Sequence, residues 1–106
     1  MTSRPQDTLF YRFRLFVAGD EPNSLRARAT LERLCDEYLR GRCEIQVVDV
    51  FEDYQAAIDQ HVIVVPTLIV ESPPPRRVIV GSLETLKVLE TFRVLERETL
   101  KVFGDL

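Results

Sequence analysis

Between Phe10 and Ala18, Tyr11, Phe13, Leu15 and Val17 alternate with Arg12, Arg14 and Phe16. A repeat of two places successive side chains on opposite faces of a strand, so the segment predicts a first strand with the Tyr11 set facing a core. The run Gly19-Asp20-Glu21-Pro22-Asn23-Ser24 reads as a loop, with Asn23 or Ser24 placed to cap the helix that follows. From Leu25 to about Leu39 the apolar positions Ala27, Leu31, Leu34, Cys35 and Tyr38 recur at steps of three and four. Arg26, Arg28, Glu32, Arg33, Asp36 and Glu37 fill the rest. That spacing predicts an amphipathic helix burying Cys35, with Gly41 as its C-cap.

The β-branched segment Glu44 to Val50 predicts a second strand, parallel to the first because a helix-length crossover joins them. Tyr54 to His61 predicts a short helix with Ala57, Ile58 and Val62 facing inward. The apolar run Ile63 to Val70 is broken by Pro66, which lacks the N–H that a strand ladder uses, so the strand proper starts at Pro66. Ser72-Pro73-Pro74-Pro75 is a stiff turn into a further strand, Arg77 to Val80, closed by Gly81 and Ser82. Leu83, Leu86, Val88, Leu89, Phe92, Leu95 and Thr99 then fall at helical spacing. The result is an α/β chain of order βαβαββα around a mixed four-stranded sheet.

Composition narrows what such a chain does. Its 106 residues carry 14 Lys and Arg against 17 Asp and Glu, a net charge of −3, and 45% are hydrophobic. This describes one folded domain, and predicts a flexible segment at 1–9, a domain at 10–102 and a tail at 103–106. A sequence pI of about 5.2 provides no bulk attraction to nucleic acid. The longest apolar runs, Val62 to Pro66 and Thr67 to Val70, fall far short of the roughly 20 residues that span a bilayer. Met1 to Thr8 has no apolar stretch of the secretory kind, so the expected location is cytoplasmic. Cys35 and Cys43 flank a turn outside any C-x-x-C or Cys/His ligand set, and read as free thiols in a reducing compartment.

Candidate chemistry is sparse. His61, the single histidine, has no paired nucleophile or ligand set and reads as an exposed helix end. Asp49, Glu52, Asp53 and Asp59 follow a strand end but lack a glycine-rich phosphate loop, and read as solvated charge. Asp20, Glu21 and Asn23 read as a cap and turn. No catalytic residue, metal site or cofactor is expected. Arg76 and Arg77, stiffened by three prolines, form a local basic patch that with Arg26 and Arg28 opposes an acidic partner surface. A charged edge strand that blocks aggregation is the other reading of the Arg76-Arg77 pair.

The element order is the thioredoxin-like one, and Val65-Pro66-Thr67 resembles the cis-proline step of that fold. Where a thioredoxin has its C-x-x-C, this chain has Ala18-Gly19-Asp20-Glu21-Pro22-Asn23-Ser24, without the thiolate that dithiol exchange requires. Leu15 to Ala27 resembles the L-Y-V-A-G-x-T-P-N-S-x-R-A signature of the KaiB family of the bacterial circadian clock. Val48-Asp49-Val50, Val65-Pro66-Thr67-Leu68 and Pro73 to Leu83 are similar to its V-I-D-V, A-T-P-T-L and P-x-P-x-R-R-I-I-G-D-L segments, over about residues 10 to 95. The carried-over structural positions are Gly19, Pro22, Asn23, Ser24, Pro66 and Gly81. Arg77 matches the first arginine of the R-R pair, Val78 replaces the second, and Arg76 lies one place early.

This resemblance implies a protein that performs no chemistry and docks on the ring of a KaiC-type ATPase. Further implied partners are a KaiA-like protein, a sensor histidine kinase and further copies of itself as a dimer or tetramer. Family members exchange a tetrameric state for the thioredoxin-like one by refolding the C-terminal half. Gly81-Ser82-Leu83 and Thr91-Phe92-Arg93 replace the family's G-D-L and G-L-D steps, and the loss of a helix-weakening glycine predicts that this chain rests in the thioredoxin-like state. A tetramer with a strand at residues 86 to 95 would refute that expectation. The residues alone leave open a thioredoxin-like stress or redox protein without C-x-x-C, or an adaptor to a histidine kinase.

Overall fold

A computed structural model describes residues 9–81 and Val88. Its elements are β1 (Tyr11–Val17), α1 (Pro22–Tyr38), β2 (Cys43–Asp49), α2 (Tyr54–Asp59), β3 (Thr67–Ser72) and β4 (Arg77–Val80). They form one mixed four-stranded sheet in the order β2-β1-β3-β4. β1 runs parallel to β2, from Tyr11 opposite Cys43 to Val17 opposite Asp49. It runs antiparallel to β3, with Phe13 opposite Val70 and Phe16 opposite Thr67, and β3 pairs antiparallel with β4 from Thr67 opposite Val80 to Val70 opposite Arg77. The fold class is therefore the one the pattern predicts. Residues 1–8 and 103–106 lie outside the described residues, as does the last predicted helix except Val88, whose backbone is helical and whose side chain is buried.

The core has two parts because the sheet is covered on both faces. Tyr11, Phe13, Leu15 and Val17 pack with Leu31, Leu34 and Leu39 from the α1 side, with Leu68 and Val70 of β3, and with Val88. On the other face Phe16, Val48 and Ile69 pack with Ala57 of α2. Phe16 is thus a core residue, against the expectation that grouped it with Arg12 and Arg14. The cause is that α2 is short and covers only the Phe16 end of its face. Beyond that cover Arg14 pairs with Glu71 at 3.6 Å and Arg12 with Glu44 at 3.8 Å.

Helix boundaries and facing residues are where the pattern departs most from the structure. α1 begins at Pro22 with Glu21 as its N-cap, three residues before the predicted start, and neither Asn23 nor Ser24 is the cap. Pro22 has no N–H to satisfy and a φ suited to the first helical turn, so the chain enters the helix there. At the other end the C-cap is Leu39, not Gly41. Leu39 keeps its N–H on the Cys35 carbonyl while turning into the core, which leaves Tyr38 exposed. Gly41 lies two residues beyond, at φ +67°, in a turn closed by the Arg42 N–H on the Leu39 carbonyl. In α2, Ala57 is buried and Val62 partly so, but Ile58 is exposed, since a helix of 6 residues has room for only a narrow inward face.

β3 starts at Thr67, directly after Pro66, as the missing N–H requires; the Val65–Pro66 bond is cis, as are Ser72–Pro73 and Pro74–Pro75. None of the described helices is long and apolar enough to cross a membrane. Leu15, fully buried on the central strand, is expected to cost about 2–5 kcal/mol when replaced by Ala, whereas Ile58→Ala stays within about 0.5 kcal/mol of the parent. Urea denaturation followed by circular dichroism distinguishes the two.

Candidate functional site

The C-terminal ends of the parallel strands β1 and β2 meet the start of α1, and the polypeptide between them is held by a compact set of hydrogen bonds. Glu21 accepts the Ser24 N–H at 2.9 Å and the Asn23 N–H at 3.0 Å, two donors that a helix start leaves without partners. The buried Ser24 hydroxyl donates to the Glu21 carboxylate and accepts the Ala18 N–H, both at 3.1 Å, so the cap is tied back to the strand end. The hydrogen bond from the Asn23 N–H, opposed next by desolvation and joined by the hydrogen bonds of Ser24 and the charge of Arg26, holds the Glu21 carboxyl below its ordinary value of 4.5.

Asp49, at the end of β2, works across the same junction. Its Oδ1 accepts the Gly19 N–H at 3.2 Å and the Phe51 N–H at 2.9 Å, clipping the β1–α1 loop to the turn after β2. Gly19 has φ +51°, a conformation that favours glycine, and the Phe51 ring lies 3.4 Å from where a Cβ would stand, within ordinary contact distance. Asp53 caps α2 by accepting the Ala56 N–H at 3.1 Å. Asp49 and Asp53 therefore order backbone; Asp49 is half-buried, and Asp53 keeps the exposure that the sequence suggests.

Around this junction lies a cleft of about 170 Å³ lined by Gly19, Asp20, Ser24, Leu25, Arg28 and Asp49, among others. It occupies the position of a dithiol site but contains no sulfur. Cys35 lies in the last turns of α1 and Cys43 opens β2, at the opposite end of the sheet. Burial, then the neighbouring Cys43 thiol, pushes the Cys35 thiol up from its ordinary value, which disfavours its thiolate. His61 is exposed at φ +60° after α2. Among the described residues no cluster of three or more His, Cys, Asp or Glu is arranged to hold a metal ion.

What the cleft has instead is an apolar rim. Val17, Val47 and the half-exposed Leu25 line the cleft, and Phe51, 75% exposed, lies against Gly19 at its edge; Tyr54, 66% exposed, opens α2 three residues on. Sequence reasoning missed Phe51 and Tyr54; the signal was two aromatic residues within Phe51-Glu52-Asp53-Tyr54, a turn whose other residues are acidic. The predicted arginines divide into two places. Arg26 bonds the Asn23 side chain, and Arg28 lines the cleft while pairing with Glu32 at 3.3 Å. Arg76 donates to Gln60 at 3.0 Å, and Arg77 opens β4 opposite Val70, itself level with Phe13 near the start of β1. With about 3.3 Å per strand residue, the two pairs sit at opposite ends of the sheet and do not form one patch.

Replacing Glu21 by Gln tests the cap. A carboxyl held below its unfolded value adds stability above that value and loses it as the pH falls through the folded one. The variant is expected to unfold more easily than the parent at neutral pH, with the gap closing as the pH drops below 4.5, read from denaturation midpoints. For the thiols, an alkylating reagent followed by peptide mass mapping is expected to label Cys43 at least about tenfold faster than Cys35 in the folded protein, because only the first is partly exposed.

Comparison with known proteins gives this arrangement its relatives. The KaiB domain family matches residues 14–94. The circadian clock oscillator protein KaiB of Microcystis aeruginosa is 40% identical over 73 residues, which is 69% of this chain and 70% of that one. Its counterpart from a Picosynechococcus species is 37% identical over 92 residues, covering 86% and 88%. Among solved structures, chloroplastic thioredoxin z superposes with a TM-score of 0.72 at 19% identity, covering 86% of this chain and 82% of that one. The N-terminal domain of Synechococcus elongatus SasA superposes with a TM-score of 0.69 at 19% identity, covering 87% and 88%. The fold is thus thioredoxin-like, its dithiol position holds a cap and an apolar rim in place of cysteines, and the chain belongs to the KaiB family.

Proposed function

We propose that this chain is a non-enzymatic clock or regulatory protein that docks on the ring of a KaiC-type ATPase and modulates its ATPase or phosphorylation cycle. The observation that carries the reading is the exposed Phe51, set against Gly19 at the edge of a cleft that holds no cysteine, with the exposed Tyr54 three residues on. Exposed aromatic side chains on an ordered turn are what protein docking uses, since they bury large area at little entropic cost. Arg26 and Arg28 flank the same mouth and serve as the charged rim; Arg76 and Arg77 belong to a different surface. If ring binding differs between nucleotide states, docking shifts their populations by that difference in affinity.

The rest of the reading follows from the same premises. The domain extends over residues 10–102, rests in the thioredoxin-like arrangement, and works in the cytoplasm, where Cys35 and Cys43 remain thiols. A KaiA-like protein or a sensor histidine kinase is the second class of partner. A redox role is disfavoured by the burial of Cys35, which withholds the thiolate such chemistry needs.

Size-exclusion chromatography with light scattering, run on mixtures with a KaiC-type ATPase in ATP and in ADP, tests the reading. Co-elution is expected to depend on the nucleotide. Phe51→Asp and Tyr54→Asp are each expected to weaken it at least about tenfold with the circular dichroism spectrum unchanged. Absence of co-elution in both nucleotides would move the function to another partner.

A further inference from the structure

The two sulfur atoms stand apart from the cleft, and ring docking makes no use of them. Cys35 falls on the buried stripe of α1, in line with Ala27 and Leu31. Cys43, Ile45 and Val47 alternate along β2, and all three pack against the cluster that contains Cys35. Cys35 is buried, Cys43 is partly exposed, and both are free thiols.

The turn between α1 and β2 brings the two together. The Leu39 N–H donates to the Cys35 carbonyl and the Arg42 N–H to the Leu39 carbonyl, both at 2.8 Å, so the chain folds back against the last turn of the helix. The Tyr11 N–H then donates to the Arg42 carbonyl at 2.8 Å, and Cys43 enters the sheet opposite Tyr11. Cys43 thereby stands against the end of α1, with its thiol in hydrogen-bond contact with that of Cys35.

We propose that Cys35 and Cys43 form a redox pair, which a small disulfide of the glutathione type closes into an intramolecular disulfide that clamps the end of α1 to the start of β2. The partly exposed Cys43 reacts first. Its thiolate attacks one sulfur of the small disulfide, forming a mixed disulfide and releasing one small thiol. The Cys35 thiol gives its proton to solvent and attacks the Cys43 sulfur, which releases the second small thiol. Two protein thiols thus lose two electrons and two protons, and the small disulfide is reduced to two thiols. Burial leaves Cys35 little thiolate, an effect to which Asp36 and Glu32 add, but contact with Cys43 gives it a high effective concentration that offsets the loss. Excess small thiol runs both steps backward, so the dithiol is the resting form in a reducing compartment. The pair is itself oxidised and passes nothing to another protein, which sets it apart from dithiol catalysis. The bond lies at the other end of β2 from Asp49 and Phe51, so it leaves the docking turn in place and stands apart from the ring-docking reading.

Incubation in buffers of graded oxidised-to-reduced glutathione ratio, quenched with acid and read by peptide mass mapping, tests the proposal. The parent is expected to yield a peptide pair joined through Cys35 and Cys43 within one chain, reversed by excess reduced glutathione. The bond is expected to form at a ratio at least about tenfold lower in the folded protein than in urea, and by linkage the same factor measures how far the bond favours the fold. Cys35→Ala is expected to stop at the Cys43 adduct with glutathione, and Cys43→Ala to react at least about tenfold more slowly than the parent. Circular dichroism checks that both variants fold, and the comparison of folded with unfolded parent does not depend on them. A parent that stops at the glutathione adduct, or that joins these cysteines only between two chains, overturns the proposal. So does a bond that forms no more readily in the folded protein than in urea, because the fold would then not hold the two sulfurs ready for it. Equally fast reaction of the two variants overturns it as well, since Cys43 would not be the point of attack.

Discussion

β1 has to satisfy a backbone ladder on both edges and bury side chains on both faces, and the rest of the fold is arranged around those demands. Its edges are taken by β2 in parallel and β3 in antiparallel register. Its Tyr11, Phe13, Leu15 and Val17 face is closed by α1 and Val88, and its Phe16 by α2. A strand so enclosed has little freedom to slip, because moving by one residue would carry Arg12 and Arg14 into the core and the apolar set into water. The rigidity of its C-terminal end follows, and the β1–α1 loop is built on that end.

The loop shows how one architecture carries different functions. A helix N-terminus at the end of a central strand favours negative charge, which in a dithiol site would be a thiolate. Here Glu21 supplies the charge and the hydrogen-bond acceptors itself, with Ser24 locking it to Ala18. Once the N–H groups are satisfied from within, the position offers stability rather than reactivity. Asp49 completes the change by fixing Gly19 and Phe51 together, which turns an aromatic ring outward on a well-ordered support. The sulfur atoms lie at the other end of α1, where burial suppresses Cys35. The cap in place of a thiolate and the exposure of Phe51 thus have a shared structural cause.

The two sheet edges differ in kind. β2 carries Glu44 and Gln46 among its outer positions, and Glu44 pairs with Arg12. β4 is short, begins with arginine and is apolar thereafter. Short length and charge are the usual protections of an edge against uncontrolled pairing. On β4 the arginine stands at the start of the strand, and Val78 and Val80 remain half-exposed.

Much of this was legible in the sequence. The alternation of β1, the periodicity of α1, the break at Pro66 and the proline turn before β4 are local signals, and each led to the observed element. The Leu15 to Ala27 motif carried the family. Residue contacts across long separations were not legible. Phe16 is buried because α2 happens to lie over it, Tyr38 is exposed because Leu39 turns inward first, and Asp49 orders Gly19 from 30 residues away. The four arginines looked like one patch because sequence records charge without direction; the sheet sends one pair to each end. By itself the sequence determined the order of the described elements, the absence of cysteines from the loop before the first helix, and the family. Only the tertiary structure decided which faces are covered, that Phe51 and Tyr54 stand exposed, and that Val78 and Val80 stand half-exposed. Local spacing sets what each segment can become, whereas exposure depends on which distant segment comes to lie against it.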